Sequence, residues 1–240
     1  MNHVYFRVFC SGCGNSFDVA DYCGNRFCGI CTGQRNRRIR AKMEHLLRST
    51  PSRPGYRWRF VTLTEPSTAD VSEGLISISS AFRKLRQHLW YKRRVLGGFS
   101  VFELTHGSAG WHIHIHALLF SRFLPVRTLC SHWQRASSGK IVDVRLVPHR
   151  TAVGYLTKYL TKTALAEAEQ KTASESLKGR RLFSTFGSIS KLLSAFHPPH
   201  ALCRHCSNSE WIHERSRYYH ALVAEFEHNG RIIGRWDQPP

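Results

Sequence analysis

The chain has 240 residues, 42% of them hydrophobic, which is enough for one large domain with appendages. It has no apolar run long enough to cross a bilayer, and Met1-Asn2-His3-Val4-Tyr5-Phe6-Arg7 lacks the apolar core and cleavage site of a secretory signal, so a soluble cytoplasmic protein without a membrane partner is expected. Lys and Arg number 35 against 16 Asp and Glu, a formal charge of +19 spread along the chain, so the expected partner is a polyanion, with nucleic acid first.

The N-terminal third opens on cysteines: Cys10-x2-Cys13, then Cys23-x4-Cys28-x2-Cys31. Pairs two residues apart in a basic chain without a secretory signal predict structural zinc rather than disulfides. Gly12, Gly14, Gly24 and Gly29 allow the tight backbone approach that places two thiolates on one ion. Five thiols compete for four places; Cys10, Cys13, Cys28 and Cys31 are the expected Zn²⁺ ligands, Cys23 is the spare, and a different four stays open. Residues 34–48 follow as an amphipathic helix with Ile39, Met43, Leu46 and Leu47 on one side. Its cations Arg35, Arg37, Arg38 and Arg40 are candidate phosphate contacts, the alternative being a merely solvated face. Pro51, Pro54 and Gly55 end the segment.

Trp58 to Thr64 alternates and is β-branched, which predicts a strand. Asp70 or Ser72 caps a helix expected through Leu75, Ile78, Phe82, Leu85 and Leu89 to about Tyr91. A strand from Phe99 to Thr105 carries Glu103 within an apolar run, and Gly107 and Gly110 turn it into a hairpin with Trp111 to Phe120. There His112, His114 and His116 alternate with apolar residues, so the three imidazoles share one face and form a candidate divalent-metal site. From spacing alone, Glu103 either completes that site or makes a cross-strand pair with an Arg or Lys.

A short helix is expected over residues 125–136 and an alternating strand over 141–147. On a helix from Ala152 to Lys162, Tyr155, Lys158, Tyr159 and Lys162 share one face, while Val153, Leu156 and Leu160 lie opposite. Residues 164–181 read as a polar helix or connector, and apolar periodicity returns to Phe196. Cys203 and Cys206, with His197, His200, His205 and His213 nearby, are candidates for a second zinc site. Asn229-Gly230 predicts a terminal hairpin turn.

A histidine-bound metal, helix tyrosines and a basic surface combine into one reaction. The metal polarises a DNA phosphate while a phenolate attacks phosphorus and becomes joined to the 5′ end. Tyr suits this because its phosphate ester preserves the bond energy needed for rejoining. Lys158 and Lys162 favour the phenolate and bind phosphate oxygens.

Phe60-Val61-Thr62-Leu63-Thr64, Trp111-His112-Ile113-His114-Ile115-His116 and Tyr155 to Lys162, in that order, resemble the rolling-circle replication initiators, the Rep branch of the HUH single-strand endonucleases. Cys23 to Cys31, Phe102-Glu103-Leu104-Thr105 and Gly179-Arg180-Arg181-Leu182 are similar to plasmid members of that family. The resemblance covers about residues 10 to 190. It implies an α+β fold, a central antiparallel sheet with flanking helices, here with an N-terminal zinc-binding appendage. It makes His114 and His116 ligands of Mn²⁺ or Mg²⁺, Glu103 the third ligand, Tyr159 the principal nucleophile, and His112 the least expected of the three imidazoles. Many plasmid relatives look to have Glu where this chain has Tyr155; a second tyrosine resembles phage initiators and two-tyrosine transposases.

The expected divisions are a zinc segment with basic helix over 1–50, a nicking and joining domain over 56–196, and a C-terminal segment over 197–240. The leading function is nicking and rejoining single-stranded origin DNA to start rolling-circle replication. A transposase or mobilisation nickase of the same chemistry, or a non-cutting zinc-dependent DNA-binding regulator, are the alternatives. The sequence holds no GxxxxGK[ST] loop, so a host helicase, with a polymerase, is an expected partner.

Overall fold

The computed structural model describes residues 3, 5–20, 23, 25–139, 141–161, 165–193, 202–213, 224–227 and 232–236, and at 34, 149–150, 158, 160–161, 213, 224–227 and 232–236 the backbone alone. Two compact units share the chain: Ile39–Phe196, and a second made from both ends, Met1–Arg38 with His197–Pro240. Among the described residues no helix is long and apolar enough to cross a membrane.

In the larger unit, period-2 patterning produces an antiparallel sheet of five strands. These are β3 (Arg57–Thr64), β4 (Val95–Gly107), β5 (Gly110–Ser121), β6 (Ile141–Leu146) and β7 (Phe183–Gly187), in the order β6-β3-β5-β4-β7. The hairpin of β4 and β5 turns at Gly107 and Gly110, where Gly110 has φ +94°. β4 is longer than the expected 99–105 because β5 and β7 pair with its first half too. Gly98 makes this possible: a Cβ there would stand 2.2 Å from the Leu118 carbonyl oxygen.

Alternation sorts the sheet into two faces. Trp58, Phe60, Phe99, Val101, Leu118 and Phe120 form one buried cluster with Met43, Leu46 and Leu47 of α1 (Gly29–Ser49) and Ala152, Val153 and Leu156 of α5 (His149–Thr161). Each valine, leucine, methionine or phenylalanine among them contributes about 1.5–3 kcal/mol by leaving water. The opposite face carries Ile113, and Gly74 of α2 (Val71–Gln87) lies close against it. α4 (Val126–Ala136) packs beside α2, and its Trp133 indole donates to the Thr64 carbonyl at 3.0 Å.

The long helix expected to reach Tyr91 is instead broken in two. Asp70 caps α2 by accepting from the backbone N–H groups of Ser72 and Glu73 at 2.6 and 3.0 Å. His88 then adopts an extended conformation and caps α3 (Leu89–Arg94), its Nδ1 accepting from the Trp90 N–H. The apolar spacing runs through this break, which hid it. Within the stretch expected to be a polar helix or connector, Glu167–Ser176 forms the helix α6, and α7 (Ser188–Leu192) follows β7.

In the unit built from the chain ends, β1 (Tyr5–Cys10) pairs antiparallel with β2 (Ser16–Ala20) and with β8 (Trp211–His213). Phe6, Val8 and Cys10 point inward and their neighbours outward. β9 (Ala224–Glu227) and β10 (Ile232–Trp236) pair as a hairpin, while its expected turn, Asn229-Gly230, lies outside the described residues.

Candidate active site

Three strands bring the expected residues to one face of the larger sheet. His114 of β5 stands opposite Thr64 of β3 on one side and Glu103 of β4 on the other. His116, two residues on, stands opposite Thr62. The Thr62 and Thr64 hydroxyls lie 3.1 and 2.9 Å from Nδ1 of His116 and His114. The Glu103 carboxylate reaches diagonally to Nε2 of His116 at 2.7 Å.

These contacts distinguish the three imidazoles. A hydroxyl at Nδ1 fixes the ring and leaves Nε2 as the nitrogen a metal could take; since it donates and accepts, it serves either tautomer. His112 stands opposite Thr105 of β4, beyond the end of β3, with its ring edge-on to His114 at 4.4 Å. Two oriented imidazoles and a carboxylate are a donor set that a divalent metal cation can use. His116 and Glu103 are 4% and 6% exposed, so the cation would take over the place of a buried hydrogen bond. Among the described residues, the ligand atoms already gathered within 4.8 Å of one another belong to cysteine clusters instead.

The tyrosines come from α5, one turn apart. The Tyr159 ring stacks on the His116 imidazole, centroids 3.6 Å apart and planes 19° apart, and lies 5.5 Å from Phe60. Tyr155 sits 5.9 Å from Phe60 and is 36% exposed. Tyr159 is thus the phenol in contact with the histidine strand. Lys162 and the Lys158 side chain lie outside the described residues.

The expected quartet Cys10, Cys13, Cys28 and Cys31 is not the grouping the fold makes. Cys10 and Cys13 gather with Cys203 and Cys206, while Cys23, Cys28 and Cys31 gather with His3. The cause is topological: β8 pairs with β1 and brings the C-terminal CxxC to Cys10 and Cys13, while Cys28 and Cys31 flank the start of α1. Cys23, expected as the spare, lies 3.4 Å from Cys31, and His3 Nε2 lies 2.9 Å from the Cys28 sulfur. Burial opposes ionisation of Cys28, but the Cys31 N–H and His3 outweigh it and bring its pKa to about 6. Burial, with Cys23 beside it, pushes Cys31 up to about 12. Such a split is what one charge shared among crowded thiols produces, and a cation with three thiolates and an imidazole would remove it. Of the histidine candidates for the second site, His197 and His200 lie outside the described residues, His213 is described in its backbone alone, and His205 is exposed and belongs to neither cluster.

Of the candidate phosphate contacts, Arg35 donates to the Arg26 carbonyl at 2.7 Å and to the Thr32 hydroxyl at 2.9 Å, and so ties the start of α1 together. Arg40 pairs with Glu44 at 2.9 Å. Arg37 is exposed and Arg38 half-buried. Neither spacing nor composition assigns a role to Thr62, Thr64 or His3. The alternation of Thr62 and Thr64 in β3 is a readable signal only that the first two share a face.

A family profile described as "Replication protein" matches residues 15–232. A protein of Bacillus amyloliquefaciens named "Protein rep" is 29% identical over 155 residues, covering 56% of this chain and 44% of its own length. A "Protein rep" of a Bacillus species is 27% identical over 155 residues, with 56% and 48% covered. The chain thus spans less than half the length of these relatives. No solved structure matches it.

Proposed function

The chain belongs to the Replication protein family, Rep_1, and on that premise we propose that it initiates rolling-circle replication of a plasmid-type replicon by nicking and rejoining single-stranded origin DNA. The observation that carries this reading is Tyr159 stacked on His116, a ring held by Thr62 and paired with Glu103.

In this reaction the Tyr159 hydroxyl oxygen attacks the scissile phosphorus, the bond from phosphorus to the 3′ oxygen breaks, and the phenol proton ends on that departing oxygen. The products are a 5′-phosphotyrosine and a free 3′-hydroxyl, and rejoining is the reverse attack. His114, His116 and Glu103 would hold Mn²⁺ or Mg²⁺, which when bound offsets the charge developing on the phosphate oxygens. Thr62 and Thr64 orient the two rings, and the buried cluster around Phe60 fixes the phenol against them. Lys158 and Lys162 would favour the phenolate. Tyr155, one turn from Tyr159, is the candidate acceptor for a second transfer, a feature equally at home in a two-tyrosine transposase or mobilisation nickase. Zn²⁺ held by His3, Cys23, Cys28 and Cys31 would be structural. Origin DNA is the proposed partner, with a host helicase and polymerase for unwinding and synthesis.

The test is a denaturing gel with single-stranded origin oligonucleotide and Mn²⁺. Wild type should give a covalent adduct that Tyr159→Phe abolishes. An adduct lost only with Tyr155→Phe would reassign the nucleophile. Tight DNA binding with no adduct in any form would leave a non-cutting regulator.

A further inference from the structure

Cys10, Cys13, Cys203 and Cys206 lie outside the nicking chemistry, and their backbones repeat one another. In the first loop Gly14 N–H donates to the Cys10 carbonyl at 2.9 Å, and Cys10 N–H donates to the Asn15 carbonyl at 2.8 Å. In the second, Ser207 N–H donates to the Cys203 carbonyl at 2.8 Å, and Cys203 N–H donates to the Asn208 carbonyl at 2.8 Å. The residue after the second cysteine is left-handed in both, Gly14 at φ +71° and Ser207 at φ +58°. Ser207 is the only such non-glycine residue among the described ones, and a left-handed serine is sterically costly. Two loops with one hydrogen-bond pattern direct their sulfurs together: Cys10 to Cys206 at 3.4 Å and Cys13 to Cys203 at 3.5 Å.

The surroundings hold the pair in place. Asn208 Nδ2 donates to the Ser11 hydroxyl at 2.8 Å, and Ser11 N–H donates to the Glu210 carbonyl at 3.1 Å. A Cβ at Gly12 would stand 2.8 Å from Asn208 Nδ2 and 3.3 Å from the Cys206 sulfur, so a larger residue there would have to displace the Asn208 side chain that joins the loops.

We infer that Cys10, Cys13, Cys203 and Cys206 form a four-thiolate zinc site, a second structural metal centre that locks β8 and the segment before it onto β1. Tetrahedral all-sulfur donors select zinc or iron, and zinc has no redox chemistry to manage in a site with no other role. Binding expels the thiol protons to solvent and leaves an anionic centre. The inference is independent of the nicking reaction.

The experiment uses the full chain purified under reducing conditions, with zinc counted by native mass spectrometry and by chelator release after thiol blocking. Two zinc ions per chain are expected, and one for Cys203→Ser with Cys206→Ser. Co²⁺ replacement in that variant should lower the sulfur-to-cobalt absorbance by about four-sevenths, because losing two of its cysteines empties the four-sulfur site and leaves three of the seven clustered thiolates on cobalt. Should the variant fail to fold, zinc X-ray absorption of the wild type decides, with an average of about 3.5 sulfurs at about 2.3 Å expected from one four-sulfur and one three-sulfur site. One zinc per chain with three sulfurs and a nitrogen would overturn the inference. So would iron at this site, or disulfides joining Cys10 to Cys206 and Cys13 to Cys203.

Discussion

The Tyr159 ring lies face to face with the His116 imidazole, 3.6 Å between centroids. The contact is made by the face of the ring, which phenylalanine keeps, so ring packing and chemistry can be separated by one atom. Tyr159→Phe keeps the ring, and its melting temperature should stay within about 1 °C of wild type while adduct formation falls at least about a thousandfold. Tyr159→Ala should lose activity and also about 1–3 kcal/mol of stability. Calorimetry beside the gel assay checks both; a Tyr159→Phe protein that still forms adduct at the wild-type rate would remove Tyr159 as nucleophile.

The hydroxyl at each Nδ1 predicts a role for β3 that sequence spacing alone would assign to the histidines. Thr62→Val and Thr64→Val preserve the β-branched shape and the strand pairing. Each should weaken Mn²⁺ binding about 10–100-fold. His112→Ala, beyond the end of β3, should change it less than about twofold. Mn²⁺ titration by electron paramagnetic resonance reads the difference, and equal effects for Thr64→Val and His112→Ala would contradict it.

Glu103 and His116 are buried against each other, so the carboxylate can be neutralised without changing its shape. Glu103→Gln should reduce metal-dependent cleavage more than about a hundredfold, while circular dichroism in EDTA stays that of the wild type. Wild-type cleavage at saturating Mn²⁺ would exclude Glu103 as a ligand.

Close packing of strands near the site leaves no room at Gly98. Gly98→Ala would set a methyl group 2.2 Å from the Leu118 carbonyl oxygen, two residues beyond His116. The strands must part, at a cost of about 3 kcal/mol, seen as a lower urea midpoint. An unchanged midpoint would mean that β4 and β5 separate more easily than their pairing implies.

Arg37 of the basic helix is exposed, whereas Arg35 is bonded to Arg26 and Thr32. Arg37→Ala should lower the salt dependence of single-strand binding by about 0.7 in log–log slope. Arg35→Ala should instead lower zinc retention, because Arg35 braces Arg26 and Thr32 beside Cys28 and Cys31. Filter binding across salt concentrations and a zinc assay separate the two; an unchanged slope for Arg37→Ala would remove it from the phosphate-binding surface.

The histidine strand was legible because alternation is a local property: His112, His114 and His116 share a face whatever lies beside them. The partner strands were legible for the same reason, and the register followed from the Gly107 and Gly110 turn. The break at His88 was not, because Leu85 and Leu89 continue one apolar spacing across it. Cysteine partnerships were misassigned for a different reason. A CxxC spacing fixes two ligands and carries no information about which distant pair completes the set. That is decided by β8 reaching β1, and a strand as short as Trp211–His213 has too little pattern to announce itself.

The unit made from both ends of the chain also sets a schedule for synthesis. Cys10 and Cys206 are separated by 196 positions, so the first pair of thiols leaves the ribosome roughly 10–40 s before its partners exist. The His3, Cys23, Cys28 and Cys31 group is complete once Cys31 has emerged, and can take its ion while the larger sheet is still being made. Cys10 and Cys13 must wait as reduced thiols until translation passes Cys206. A chain terminated between Thr161 and Cys203 would therefore contain the histidine strand and both tyrosines, yet leave β1 without its clasp.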